Sequence, residues 1–125
     1  MLVVEDDPIL LLHSTDVIEN AGFDVVEARN ADEAIAILEK RVDIAIVFTD
    51  VEMPGTMDGL KLAHAVRKRW PPVHLILASG RTSPLAHELP EGSRFFAKPY
   101  NDAALVNALH DMAKRSQGSR PSANG

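Results

Sequence analysis

Five short apolar runs alternate along this chain with segments of helical periodicity, and no other feature narrows the fold as far. The runs are Met1–Val4, Phe23–Ala28, Ile44–Phe48, Val73–Ser79 and Arg94–Ala97. Short runs rich in β-branched residues and bounded by turn residues read as buried strands. Strand and helix in alternation predict a parallel sheet with helices on both faces and right-handed crossovers.

The intervening segments carry helix punctuation. Pro8 suits a first helical turn; Ile9, Leu10, Leu12 and Val17 give an apolar face through Glu19, and Gly22 supplies the stop. Asn30 is an N-cap ahead of Ala34, Ile35, Ile37 and Leu38 in a helix reaching about Lys40. Asp58-Gly59 opens a helix through about Arg69, with Leu60, Leu62, Ala63 and Val66 apolar, and Pro71-Pro72 ends it. Arg81 to Ser93 is rich in turn residues, so the fourth helix is expected to be short or irregular, a brief turn around Leu85 to Glu88. Asn101 caps a last helix holding Ala104, Leu105, Ala108, Leu109 and Met112. The expected domain is residues 1–115, with a disordered polar tail over 116–125.

Composition removes several function classes. The net charge is −5 and the basic residues form no long run, which argues against direct nucleic-acid binding. With no cysteine, disulfides and thiolate metal sites are excluded. No apolar run approaches membrane-spanning length, and Met1–Val4 lacks the basic flank of a secretory signal. The expectation is a cytoplasmic protein without membrane contact.

The strand ends carry the chemistry. Strand one ends in Glu5-Asp6-Asp7, strand three in Asp50, strand four in Ser79 and strand five in Lys98. Each has a plainer reading alone: helix-start acids, a turn Asp, a turn Ser, a solvated Lys. In a parallel sheet, however, these ends share one edge, where ligands bind. Carboxylates gathered there repel unless a cation sits among them, and a hard cation such as Mg²⁺ suits oxygen ligands. A cation, an ammonium and a hydroxyl around one Asp would stabilise a phosphoryl group arriving on it.

At these residues the chain resembles the receiver domains of bacterial two-component response regulators. The resemblance covers about residues 1–114. It rests on Val3-Val4-Glu5-Asp6-Asp7, on Asp50-x-x-Met53-Pro54-Gly55 with Asp58-Gly59, on Ala78-Ser79-Gly80 and on Phe96-Ala97-Lys98-Pro99. It implies a flavodoxin-like strand order of 2-1-3-4-5 and a non-enzymatic signalling switch. Asp50 would be the phosphoacceptor. Glu5 and Asp6 would hold Mg²⁺ together with Asp50, with Asp6 a direct ligand and Glu52 giving its backbone carbonyl. Ser79 would be the switch hydroxyl, Lys98 would contact the phosphoryl group, and Phe95 would occupy the aromatic switch position. The Lys98-Pro99 bond would be cis.

Three departures qualify that picture. Thr56 looks like an insertion between Met53-Pro54-Gly55 and Asp58-Gly59. The Ser79–Lys98 segment is short and holds Pro84, Pro90 and Gly92. Phe95 lacks the hydroxyl of a switch Tyr. Arg81 and Glu52 flank the site and would tune attack of water on the acyl phosphate. The implied partners are a sensor histidine kinase or phosphotransfer protein and an unidentified downstream protein, with the receiver acting alone as a monomer or weak dimer. The rival reading is a receiver-fold binding module indifferent to phosphorylation. A Mg²⁺-dependent phosphohydrolase with Glu52 as general acid is a third, against which stands the lack of any cap segment.

Overall fold

The computed structural model describes residues 1–53, 57–80, 84 and 86–118. Its elements, in chain order, are β1 (Leu2–Val4), α1 (Pro8–Asn20), β2 (Val26–Ala28), α2 (Ala31–Lys40) and β3 (Ile46–Asp50). They continue with α3 (Gly59–Arg69), β4 (His74–Ser79), a 3₁₀ turn (Ala86–Glu88), β5 (Arg94–Ala97) and α4 (Asp102–Gly118). All strand pairs are parallel, and the order is β2-β1-β3-β4-β5. The expected fold class is the one observed.

Alternation along each strand divides the core into two layers. Leu2, Val4, Val47, Leu75 and Leu77 face α2 and α3, meeting Ala34, Leu38, Leu62 and Val66. Val3, Ile46, Phe48, Ile76 and Ala78 face the other way, onto Leu11 and Ile18 of α1 and Leu105, Leu109 and Met112 of α4. Asn30 and Asp58 cap α2 and α3 through backbone N–H bonds from Glu33 and Lys61. Asn101 accepts from Ala103 and Ala104 at the start of α4.

Several boundaries move. β2 is three residues rather than six, because this edge strand pairs only with the three residues of β1. β3 begins two residues later than its apolar run suggests and runs through Thr49 and Asp50, since the ladder to β4 continues to Asp50 opposite Ala78. α4 is helical through Gly118, three residues into the expected tail, and Ala104 lies on its exposed side.

The face assigned to α1 is the wrong one. Ile9 and Leu12 are 76% and 69% exposed and Leu10 is 42% exposed; the buried positions are Leu11, Ser14 and Ile18. Four consecutive apolar residues, 9 to 12, fit a helical stripe in more than one phase. The side that meets the sheet selects Leu11, with Ser14 and Ile18 buried on the same face.

The β4–β5 connection holds a three-residue 3₁₀ turn, as a segment broken by Pro84, Pro90 and Gly92 would. Arg67 of α3 ties it down, donating to the carbonyls of Glu91 (3.0 Å), Pro71 (2.6 Å) and Val73 (2.8 Å). The Pro54-Gly55 turn, the Thr56 insertion, Arg81, Leu85 and the tail beyond Gly118 lie outside the described residues.

Candidate functional site

The strand order sets the site. β1, β3, β4 and β5 are adjacent and parallel, so Glu5-Asp6, Asp50, Ser79 and Lys98 emerge at one edge of the sheet. All but Ser79 border a cavity of about 700 Å³ lined also by Asp7, Leu10, Glu52, Met53, Asp58 and Gly80.

Asp50 is the last residue of the central strand and is buried. Its Oδ2 lies 3.2 Å from Lys98 Nζ, which is also 3.6 Å from Glu5 Oε1. Its Oδ1 is buried and accepts no hydrogen bond, the one such side-chain atom among the described residues. A buried carboxylate oxygen without a partner is costly unless something binds there.

Glu5, Asp6 and Asp50 each place one oxygen within 4.8 Å of the others. Glu5 is buried and accepts the Asp7 backbone N–H at 3.1 Å; Asp6 is exposed. Asp7 itself caps α1, accepting from Ile9 at 2.9 Å and Leu10 at 3.3 Å. Two ionised carboxylates at this spacing repel by about 3 kcal/mol at an effective dielectric of about 20. With all three ionised, Lys98 offsets one of three negative charges, which leaves a double deficit suited to one divalent cation. An all-oxygen donor set with an unpartnered buried oxygen fits a hard ion of the Mg²⁺ kind.

The ionisation states follow from the same crowding. Burial pushes Glu5 up from its ordinary 4.5 to about 7, with Asp50 adding to the push and the Asp7 N–H and Lys98 opposing it. Burial also raises Asp50, and Lys98 holds it back only in part. Burial works against the Lys98 ammonium, but Asp50 and Glu5 overcome it and keep its pKa above the ordinary value.

This arrangement has a testable sign. The fold favours neutral Glu5, so that stabilisation is present below pH 4.5 and is lost as pH rises through about 7. In metal-free solution, Glu5→Gln is therefore expected to gain stability relative to the parent as pH rises across that window. A divalent cation needs the ionised form, so Mg²⁺ affinity of the parent should rise over the same range. Denaturant unfolding with EDTA, and then with Mg²⁺, measures both.

Ser79 is buried, and its Oγ donates to the Glu52 side chain. The same carboxylate accepts the Gly80 N–H at 3.1 Å. Reading of the sequence missed this contact. It assigned Glu52 a backbone carbonyl and a role toward water, and the β3–β4 register that brings the two together is invisible without the sheet. Phe95 is half-buried against the α2–α3 layer and Phe96 against the α1–α4 layer. The Lys98-Pro99 bond is cis.

The family model described as the response regulator receiver domain matches residues 1–110. Among curated proteins, the transcriptional regulatory protein CpxR of Escherichia coli (strain K12) is 29% identical over 126 residues, covering 99% of this chain and 53% of that protein. AruR of Pseudomonas aeruginosa, also a transcriptional regulatory protein, is 29% identical over 130 residues, covering 98% of this chain and 52% of its own. The chain thus spans about half the length of these relatives. Among solved structures, a response regulator receiver protein from Sinorhizobium medicae is 28% identical with a TM-score of 0.78, over 90% of this chain and 92% of that one. The receiver domain protein from Clostridium thermocellum superposes with a TM-score of 0.82 at 24% identity, over 93% and 94% of the two chains, which speaks to the fold alone. Among the described residues, no helix is long and apolar enough to cross a membrane. With the fold, the acidic edge and the family match over residues 1–110 in agreement, this chain belongs to the receiver domain family of two-component response regulators.

Proposed function

We propose that the chain is a phosphorylation switch. Asp50 takes a phosphoryl group from a sensor histidine kinase or phosphotransfer protein, and the change alters which proteins dock. The observation that carries this reading is the Asp50 carboxylate itself. One oxygen sits 3.2 Å from Lys98 and the other is buried and unpartnered, and Asp50 lines an acidic cavity.

In that reading an Asp50 oxygen attacks the donor's phosphorus. A P–O bond forms, the bond from phosphorus to the donor's imidazole nitrogen breaks, and the electron pair leaves with the imidazole. Lys98 lies within reach of the negative charge that arrives. Glu5, Asp6, Asp50 and the Glu52 backbone carbonyl would hold Mg²⁺, which supplies charge neutralisation on the phosphoryl oxygens when bound. Ser79 is the hydroxyl that would turn toward the phosphoryl group, and Phe95 the ring whose packing would report it by shape. The exposed Ile9, Leu10 and Leu12 border the same cavity through Leu10, and offer the donor an apolar docking face.

The test is uptake of phosphate from acetyl phosphate, read as the mass of the intact protein. One phosphoryl group per chain is expected with Mg²⁺ and none with EDTA. A second reading, a binding module indifferent to phosphate, draws support from the β4–β5 connection, where a three-residue 3₁₀ turn is the helical structure among the described residues. Absence of uptake with Mg²⁺ favours that second reading.

A further inference from the structure

The parallel register sets Asp50 beside Ala78, so the residues that follow each strand run side by side. Glu52 therefore meets Ser79 and Gly80 across the edge of the sheet. One of its carboxylate oxygens accepts the Ser79 hydroxyl and the other accepts the Gly80 backbone N–H at 3.1 Å. A single side chain thus grips two consecutive residues at the end of β4. Glu52 is half-buried and Ser79 is 2% exposed, so water competes poorly for this hydroxyl.

We infer that the Glu52 side chain is a latch that positions Ser79 and sets how readily the phosphoryl state is reached. The proposal rests on Asp50 being the phosphoacceptor. A serine hydroxyl has one proton to donate. While that proton points to Glu52, no phosphoryl oxygen on Asp50 can receive it. Reaching the switched state then means exchanging a charge-assisted bond to Glu52 for one to the phosphoryl group, and releasing the Gly80 N–H grip on the segment that must move. Glu52 is a positioning residue in this scheme, holding the unphosphorylated state against premature switching. Its negative charge also faces Asp50, so a simple repulsion of the incoming anion is the rival account. The two differ in one respect: the latch acts through the Ser79 hydroxyl and repulsion does not.

Beryllofluoride, a phosphoryl mimic, separates them. Its affinity is measured by fluorine NMR at saturating Mg²⁺ for the parent, Glu52→Asp and Glu52→Gln, each with Ser79 and with Ser79→Ala. Glu52→Asp keeps the charge but is one methylene too short for the grip. The latch predicts that Glu52→Asp binds tighter by about tenfold, near the lower end for hydrogen bonds to a charged group. The gain should vanish when Ser79→Ala removes the hydroxyl. Glu52→Gln, which keeps the shape and loses the charge, should also bind tighter, by a larger factor with Ser79 present than without. No gain for Glu52→Asp, or equal gains for Glu52→Gln in both backgrounds, overturns the latch. Failure of the parent to bind beryllofluoride overturns the phosphoacceptor reading and the latch with it.

Discussion

Replacing Gly59 with alanine is expected to destabilise the domain by about 3 kcal/mol or more, at or beyond the upper end for overpacking, and to lower its melting temperature by about 10 °C or more. The reason is the closeness of the α3 N-terminus to the end of β3. A Cβ on Gly59 would stand 1.7 Å from the Asp50 carbonyl oxygen and 2.9 Å from Val51 Cα. Both are backbone, and Gly59 N–H already donates to Val51 O at 2.9 Å. No side-chain rotation relieves that clash, so either the helix lifts or the strand end shifts. The strand end carries Asp50, so phosphoryl uptake should fall with stability. Thermal and denaturant unfolding measure the first effect and acetyl phosphate uptake the second. A Gly59→Ala variant with unchanged melting would mean that the two segments are not packed as described.

Lys98→Met is expected to lower the initial rate of phosphoryl uptake on the order of a hundredfold, the scale seen when one preorganised charge donor is removed. Methionine keeps most of the apolar stem while the ammonium is lost. Glu5 and Asp50 then lose the cation that lies 3.6 and 3.2 Å from them. Their pKa values, already raised by burial, should rise further, so Mg²⁺ binding should demand higher pH. A rate loss smaller than about fivefold would show that Lys98 does not meet the charge developing in the transition state.

The layers of the fold were legible because strand alternation is a strict code. Val3 against Leu2 and Val4, or Ile76 against Leu75 and Leu77, can be sorted by parity once the runs are recognised as strands. The convergence of Glu5, Asp6, Asp50 and Lys98 was legible for the same reason, since parallel strands bring their carboxyl ends to one edge. Other features were hidden because they depend on packing between distant elements. The phase of α1 turns on which of Ile9 to Leu12 meets the sheet, and a run of four apolar residues carries too little contrast to decide. The grip of Glu52 on Ser79 depends on register across β3 and β4. The constraint at Gly59 depends on a helix start pressed against a strand end.

The chemistry of the acyl phosphate offers the most direct test. Borohydride reduces an aspartyl phosphate to homoserine and leaves an unmodified carboxylate intact, so the phosphorylated residue is marked in the peptide. After treatment with acetyl phosphate and Mg²⁺, peptide mass spectrometry should find homoserine at position 50 alone, and none when EDTA replaces the metal. Homoserine at another aspartate, or phosphate incorporated at position 50 without any divalent cation, would contradict a pocket in which the acids beside Asp50 gather metal and phosphoryl group together.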